Sequence, residues 1–306
     1  MSTFAQITLF VGGGIAVLTG DFTIGMFTIF TSYFKMMLNA SKFFFGLGAS
    51  YQQALVSFDR MQEIFSHKTE SCGETVITDV DCIRLQNVCF SYTHEVHDKP
   101  NGQVKNICTQ FTKGKIYAIV GANGIGKSTL ISLLAGMYIN EYKGVITYND
   151  IDIRNINMTK ARRDLIGFAE QDPVLICDSI RYNLNLGNLG DITNVEQAIK
   201  PYADVLSMTD FLSKRTLDYE INDGSTNLSG GERQKLAMLK VLIKNSCVMI
   251  FDEPTSAFDA TTTQNFILHL NKIKKNKIIL IITHDANVRE WCDEVLELAY
   301  LTVDCD

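Results

Sequence analysis

Leu228-Ser229-Gly230-Gly231-Glu232-Arg233-Gln234-Lys235 decides how the rest of the chain is read. A hydroxyl side chain and two glycines stand directly before a helical pattern through Leu236, Ala237, Leu239 and Val241. Exposed amides at such a helix start form an anion site, and the missing side chains let a phosphate approach. Downstream, Val248-Met249-Ile250-Phe251 runs without interruption into Asp252 and Glu253. Apolar residues leading straight into two carboxylates need a cation or a proton to explain them. Upstream, Ile116 to Val120 reads as a short buried strand feeding Gly121-Ala122-Asn123-Gly124-Ile125-Gly126-Lys127-Ser128-Thr129, and a helical run follows to Gly136. In that strand–loop–helix setting the glycines let consecutive backbone N–H groups point at phosphates. Lys127 then reaches the β- and γ-phosphates, and Ser128 ligates Mg²⁺.

Composition narrows the class. The 28 basic and 34 acidic residues give a net charge of −6, which argues against a nucleic-acid partner held by phosphate contacts. Eight cysteines, at 72, 82, 89, 108, 177, 247, 292 and 305, show no Cys-x-x-Cys pair and no zinc spacing. They read as buried, reduced thiols of a cytosolic domain.

Hydropathy is concentrated at one end. Residues 1–34 carry a single charged side chain, Asp21, and the opening lacks the basic n-region and cleavage site of a secretory signal, so no cleavage is expected. Two readings stand: a membrane hairpin, or two buried helices of a soluble domain. The first apolar segment, Phe4 to about Thr19, is short against the roughly 20 residues of a full span. Gly12-Gly13-Gly14 is costly in a water-soluble helix but suits close helix approach in a bilayer. After a polar turn at Gly20-Asp21, a second segment runs free of proline to about Phe65. At 1.5 Å per residue its roughly 40 residues reach about 60 Å, twice the hydrocarbon thickness. Its far half is amphipathic, so the helix is expected to leave the membrane and continue into the cytosol. Arg60 near its far end and Lys68 beyond it contrast with a turn that carries no Lys or Arg, which places the turn outside. Lys35 and Lys42 read as snorkelling near the inner leaflet ahead of a substrate-contacting role.

The glycine-rich loop, the Ser229 stretch and the Asp252-Glu253 strand, in this order, resemble the ATP-binding cassette (ABC) family. Residues 1–66 resemble, more loosely, the last two transmembrane helices of its exporters, with four preceding helices missing. The resemblance implies a P-loop, RecA-like α/β ATPase fold with an antiparallel β lobe and a helical subdomain over about Asp172 to Lys244, preceded by an all-α transmembrane hairpin. The division is a partial transmembrane domain at 1–66, a linker at 67–80 and a nucleotide-binding domain at 81–306, in which 93–103 is a surface loop. ATP and Mg²⁺ are the implied ligands.

Individual roles carry over position by position. Gly121, Asn123, Gly124, Gly126, Lys127, Ser128 and Thr129 would form the Walker A phosphate loop, with Tyr92 stacking on adenine. Gln171 matches the Q-loop, which contacts Mg²⁺ or water and couples the site to the membrane helices. Ser128, Gln171 and Asp252 form the metal set. Glu253 would polarise the attacking water as general base, a role generally worth about 10²–10⁴-fold. His284, after the strand Ile278 to Ile282, matches the switch histidine on the γ-phosphate, and Ser256 to Asp259 resembles the D-loop with Phe258 in place of leucine. Ser229, Gly230 and Gly231 would face ATP held by a second cassette. Glu232 replaces the more frequent glutamine, and Lys240 stands where many exporters have arginine. Tyr219-Glu220-Ile221 sits where exporters touch the cytosolic ends of their helices, although Asn222 replaces the usual glycine.

The expected function is therefore an ATP-hydrolysing exporter subunit in the cell membrane, multi-pass, with its ATPase domain cytoplasmic. Its partners would be a second cassette (homodimer, or heterodimer), further transmembrane helices and membrane lipid. The alternatives are a truncated protein that binds ATP without transporting, and a soluble ABC ATPase. A P-loop kinase would leave the Ser229 stretch unexplained.

Overall fold

The computed structural model describes residues 2–66, 70, 73–92, 104–186 and 195–298. The expected loop at 93–103, Lys68, Cys72 and Cys305 lie outside them. The chain divides into two compact units, Met1–Glu70 and Ser71–Asp306.

In the first unit, α1 (Ser2–Leu18) and α2 (Ile24–Ser66) are joined by a turn in which Gly20 takes φ +88°. Only glycine adopts that conformation without steric cost. Thr19 Oγ1 donates to Asp21 Oδ2 at 2.8 Å, which gives the carboxylate of the turn a partner. The two helices meet edge-to-face through Phe10 and Phe27, with centroids 5.9 Å apart. Gly13 makes room for the Phe27 ring, since a Cβ there would collide with it. Positions of helices and turn match the expected hairpin. Among the described residues, however, no helix is long and apolar enough to cross a membrane. The reasons are visible in the sequence: α1 ends after 17 residues, and Lys35, Asn39 and Lys42 dilute the apolar half of α2. Large apolar side chains on both helices, among them Phe4, Leu18, Tyr33, Phe45 and Phe65, are exposed.

The second unit holds two sheets. In the antiparallel one, β1 (Cys82–Phe90), β2 (Val104–Thr112), β4 (Lys143–Tyr148) and β5 (Ile151–Asp152) take the order β2-β1-β4-β5. In the other, β3 (Lys115–Val120), β6 (Ile166–Ala169), β7 (Val248–Asp252), β8 (Ile278–Ile282) and β9 (Glu294–Glu297) run parallel in the order β6-β7-β8-β3-β9. Parallel sheets are covered on both faces, and so β7 and β8 are unbroken apolar runs rather than alternations. The period of two still sorts their side chains. Val248, Ile250, Ile278, Leu280 and Ile282 join the core shared with the antiparallel sheet and with α3 (Lys127–Leu134) and α4 (Met158–Leu165). Met249, Phe251, Ile279 and Ile281 join the opposite core. That second core also draws on α5 (Ile180–Asn185), α6 (Val195–Ala203), α8 (Gly230–Lys244), α9 (Ala260–Ile273) and α10 (Ala286–Glu290). With α7 (Thr209–Lys214), helices α5 to α8 occupy the stretch expected to form the helical subdomain.

Within the expected linker, the described residues 73–80 are tied to the second unit: Thr75 bridges to Ile156 and Val80 is fully buried. The cysteine reading needs correcting. Cys82, Cys108, Cys177, Cys247 and Cys292 are free, but Cys108 and Cys177 are exposed, and Cys89 is disulfide-bonded. A pairing made by tertiary proximity leaves no trace in spacing.

Candidate functional site

The carboxyl ends of the parallel strands position the site. Asp252, the last residue of β7, is level with Ile282 of β8, which in turn pairs with Ile119 of β3. Three loops therefore leave the sheet side by side, carrying Gly121 to Gly126, Glu253 and His284. Ligands of open α/β sheets bind at this edge. A cleft of about 550 Å³ opens there, lined by Asn123, Gly124, Gly126, Lys127, Ser128, Thr129, Gln171, Asp252, Glu253 and His284.

The phosphate loop is a cradle of left-handed backbone. Gly124 and Gly126 take φ +77° and +107°, and Gly126 caps the N-terminus of α3 without any side-chain bond. Its free N–H groups and the helix dipole favour an anion. Gly121 lies at the base of the loop, where a Cβ would come within 2.8 Å of the Leu298 carbonyl oxygen. Lys127, nearly buried, donates from Nζ to the carbonyl oxygens of Gly121 (2.8 Å) and Ala122 (3.2 Å), and its Nζ lies 3.1 Å from His284 Nε2. One ammonium thus spans the loop and the end of β8.

Across the cleft stand the carboxylates. Burial, and secondarily the neighbouring Glu253 carboxylate, push the Asp252 carboxyl above the usual range, while Ser128 and Lys127 pull the other way. A cation at this position would relieve that penalty. Ser128 Oγ donates to Asp252 Oδ2 at 3.4 Å, and Gln171 Nε2 donates to Glu253 Oε2 at 3.3 Å. His284 Nε2 lies 3.4 Å from Glu253 Oε1. Glu253 is itself strained, with φ +46° on a non-glycine residue. Such conformations cluster at functional sites, where the surrounding structure has to hold them.

Among the described residues no three His, Cys, Asp or Glu side chains are grouped to hold a metal alone. The set fits Mg²⁺ all the same, because that ion keeps several waters and takes one or two protein oxygens beside substrate phosphates.

Residues 104–256, half of the chain, match the family described as ABC transporter. The chain belongs to that family. It is similar to ABC transporter B family member 1 of Dictyostelium discoideum, at 31% identity over 278 residues, 89% of this chain and 30% of that protein. It is also similar to the ATP-dependent lipid A-core flippase of Pasteurella multocida, at 30% identity over 295 residues, 93% of this chain and 48% of that protein. A third relative is the alpha-hemolysin translocation ATP-binding protein HlyB of Escherichia coli, at 29% identity over 300 residues, 96% of this chain and 41% of that protein. This chain thus spans less than half the length of these curated relatives. In fold it is similar to a solved bacterial Atm1-family ABC exporter with ATP bound: TM-score 0.69, 23% identity, 97% of this chain and 52% of that one.

The ABC cassette leaves Ser229, Gly230 and Gly231 outside its own cleft. Ser229 caps α8 in a reciprocal capping box: its Oγ accepts from Glu232 N–H at 3.2 Å, and Glu232 Oε2 accepts from Ser229 N–H at 2.7 Å. Glu232, noted in the sequence only as a variant, therefore holds the helix start together. A Cβ at Gly230 would meet only the Arg233 guanidinium, at 4.0 Å, whereas one at Gly231 would stand 3.3 Å from Ala257 Cβ.

Tyr92 is not part of the cleft wall either. Its hydroxyl lies 3.4 Å from Thr129 Oγ1, and its ring packs edge-on against Phe90 and Tyr138 at 5.0 and 5.7 Å. Sequence reasoning missed Tyr138, since nothing in a lone tyrosine predicts that contact. It also missed Arg215, which donates to the Asn227 carbonyl oxygen at 3.1 Å and lies 3.7 Å from Glu232. Asn227 Nδ2 in turn donates to Tyr219 Oη and the Glu220 carbonyl at 3.1 and 2.9 Å. The Tyr219–Ile221 loop is thereby hydrogen-bonded to Asn227, two residues before the Ser229 cap of α8.

Proposed function

We propose that this chain is the ATP-binding and ATP-hydrolysing part of an ABC exporter, in which two cassettes close head-to-tail around two ATP molecules. One observation carries the reading. Walker A, both carboxylates, Gln171 and His284 share one cleft, while Ser229-Gly230-Gly231 presents an anion-binding helix start away from it. A second cassette would complete each site, and a homodimer is the simplest assembly because one chain carries every motif.

In this scheme the loop N–H groups and Lys127 bind the β- and γ-phosphates. Mg²⁺, when bound by Ser128 and Asp252 with Gln171 and water, supplies charge neutralisation on the phosphate oxygens. Glu253 orients and deprotonates the attacking water, and Gln171 and His284 hold the Glu253 carboxylate from either side. His284 then bonds the γ-phosphate. Tyr92 offers a ring for adenine at the Thr129 end of the loop. Closure of the two cassettes would draw the helices of the first unit toward an outward-facing state, and hydrolysis would reset them.

The exposed apolar faces of α1 and α2 support a membrane setting in which lipid and further transmembrane helices cover them. The cell membrane, with the cassette on the cytoplasmic side, is the corresponding location. Exported substrate would come from the peptide, lipid or drug classes. ATPase activity of Glu253→Gln tests the catalytic reading: hydrolysis should fall by at least about 10²-fold with ATP binding retained, and an unaltered rate in a folded protein would overturn it.

A further inference from the structure

Glu253 needs support beyond its two side-chain neighbours, because its backbone sits in a left-handed conformation at φ +46°. That conformation is held from two sides. Glu253 N–H donates to the carbonyl oxygen of Ile282, the last residue of β8, at 2.9 Å. On the other side Gln234 Nε2 donates to the Glu253 carbonyl oxygen at 2.8 Å. Gln234 is 3% exposed and lies on α8, five residues after Ser229. Its amide is fully engaged: Nε2 also donates to Ser256 Oγ at 3.1 Å, and Ser256 Oγ donates to Gln234 Oε1 at 3.2 Å. The orientation of the amide is fixed by chemistry, since only its nitrogen can donate to a carbonyl.

From this geometry we infer that Gln234 is a positioning residue for hydrolysis, tying the helix that begins at Ser229 to the backbone of the general base in the same chain. The consequence is directional. The start of α8 is the surface offered to a second cassette, and Glu253 serves the ATP of its own chain. A shift of α8 when Ser229-Gly230-Gly231 takes up a phosphate therefore pulls on the Glu253 carbonyl through one buried amide. Ser256, beside Ala257 where Gly231 packs, moves with it. Ligand capture at one site thus sets the base of the other, without contact between Gln234 and nucleotide. The inference rests on the reading of Glu253 as the base.

Gln234→Ala, Gln234→Met and Ser256→Ala in the full chain test it, with Glu253→Gln as the reference. Methionine is close to glutamine in length and volume and stays uncharged when buried, but it has no donor for the Glu253 carbonyl. We expect kcat for ATP to fall on the order of tenfold in both Gln234 variants with KM little changed, assayed well below the melting temperature, which the lost buried hydrogen bonds lower in both. The double variant Gln234→Ala/Ser256→Ala should be no worse than Gln234→Ala alone, since both act through one network. Should Gln234→Ala fail to fold, Gln234→Met alone carries the test. Unchanged kcat in Gln234→Met, or a fall in kcat matched by a rise in KM, would overturn the inference. Retained turnover in Glu253→Gln would instead remove the base reading on which it stands.

Discussion

Truncating Glu232 separates the two jobs of the Ser229 stretch, holding a helix start and presenting amides. In Glu232→Ala the acceptor for Ser229 N–H at 2.7 Å is lost, and the N-terminal turn of α8 loses the negative charge that complements its dipole. A lost cap bond costs about 0.5–2 kcal/mol, and a charge in the first turn is generally worth about 0.3–1 kcal/mol. The contact with Arg215 is long at 3.7 Å and both side chains are about one-third exposed, so it adds little. The better helix propensity of alanine returns a few tenths of a kcal/mol. The net expectation is about 1–2 kcal/mol, or about 3–6 °C in melting temperature for a cassette of this size. The single tryptophan, Trp291, lies half-exposed in the second unit, so its fluorescence reports on the cassette directly. Glu232→Gln is the discriminating control. It keeps a side-chain oxygen for Ser229 N–H and loses only the charge, so its melting temperature should fall by less than half as much. Equal losses in the two variants, or no loss in either, would refute the capping-box account of Glu232.

Asp252 and Lys244 supply predictions of opposite slope. The Asp252 carboxyl is held above its unfolded value by burial and by Glu253, so the native state keeps a proton to higher pH and stability falls as pH rises through that window. Thermal melts at pH 7 without nucleotide or metal should therefore show Asp252→Asn more stable than the parent, while Mg²⁺-dependent hydrolysis is lost. Lys244 is pushed by burial from 10.5 down to about 8, and its Nζ donates to the Arg162 and Ile166 carbonyl oxygens. Here the unfolded chain binds the extra proton, so stability should rise between about pH 8 and 10.5, and Lys244→Met should flatten that rise in paired denaturation curves.

Some of this molecule is legible in its sequence for plain reasons. The unbroken apolar runs at 116–120, 248–251 and 278–282 are the strands of a sheet buried on both faces, and each delivers a motif to the same edge. The glycines at 121, 124 and 126 announce backbone conformations that side chains resist, and the structure uses them so. Strand β9 could not be read, because Glu294-Val295-Leu296-Glu297 is short, acidic and partly exposed and is held by pairing to β3. Gln234 was equally silent. Its partners, Glu253 and Ser256, are 19 and 22 residues away in sequence, and only the tertiary fold brings α8 to them. Glu232 was visible as a departure from a pattern, while its reason, a bond back to Ser229, needed the helix start itself.

The claim that each site is shared between two chains can be measured by complementation. Lys127→Met removes the ammonium proposed to bind phosphate, and Gly231→Asp blocks the helix start with a carboxylate. Each variant alone should hydrolyse no ATP. Mixed as full chains in equal amounts, half of the pairs would be heterodimers holding one intact composite site, so the account predicts that hydrolysis returns, with about a quarter of the parental rate as its ceiling and a lower rate because the blocked α8 no longer sets the Glu253 of that site. A mixture as inactive as its components, with pair formation verified by cross-linking, would contradict it and place the whole site in one chain.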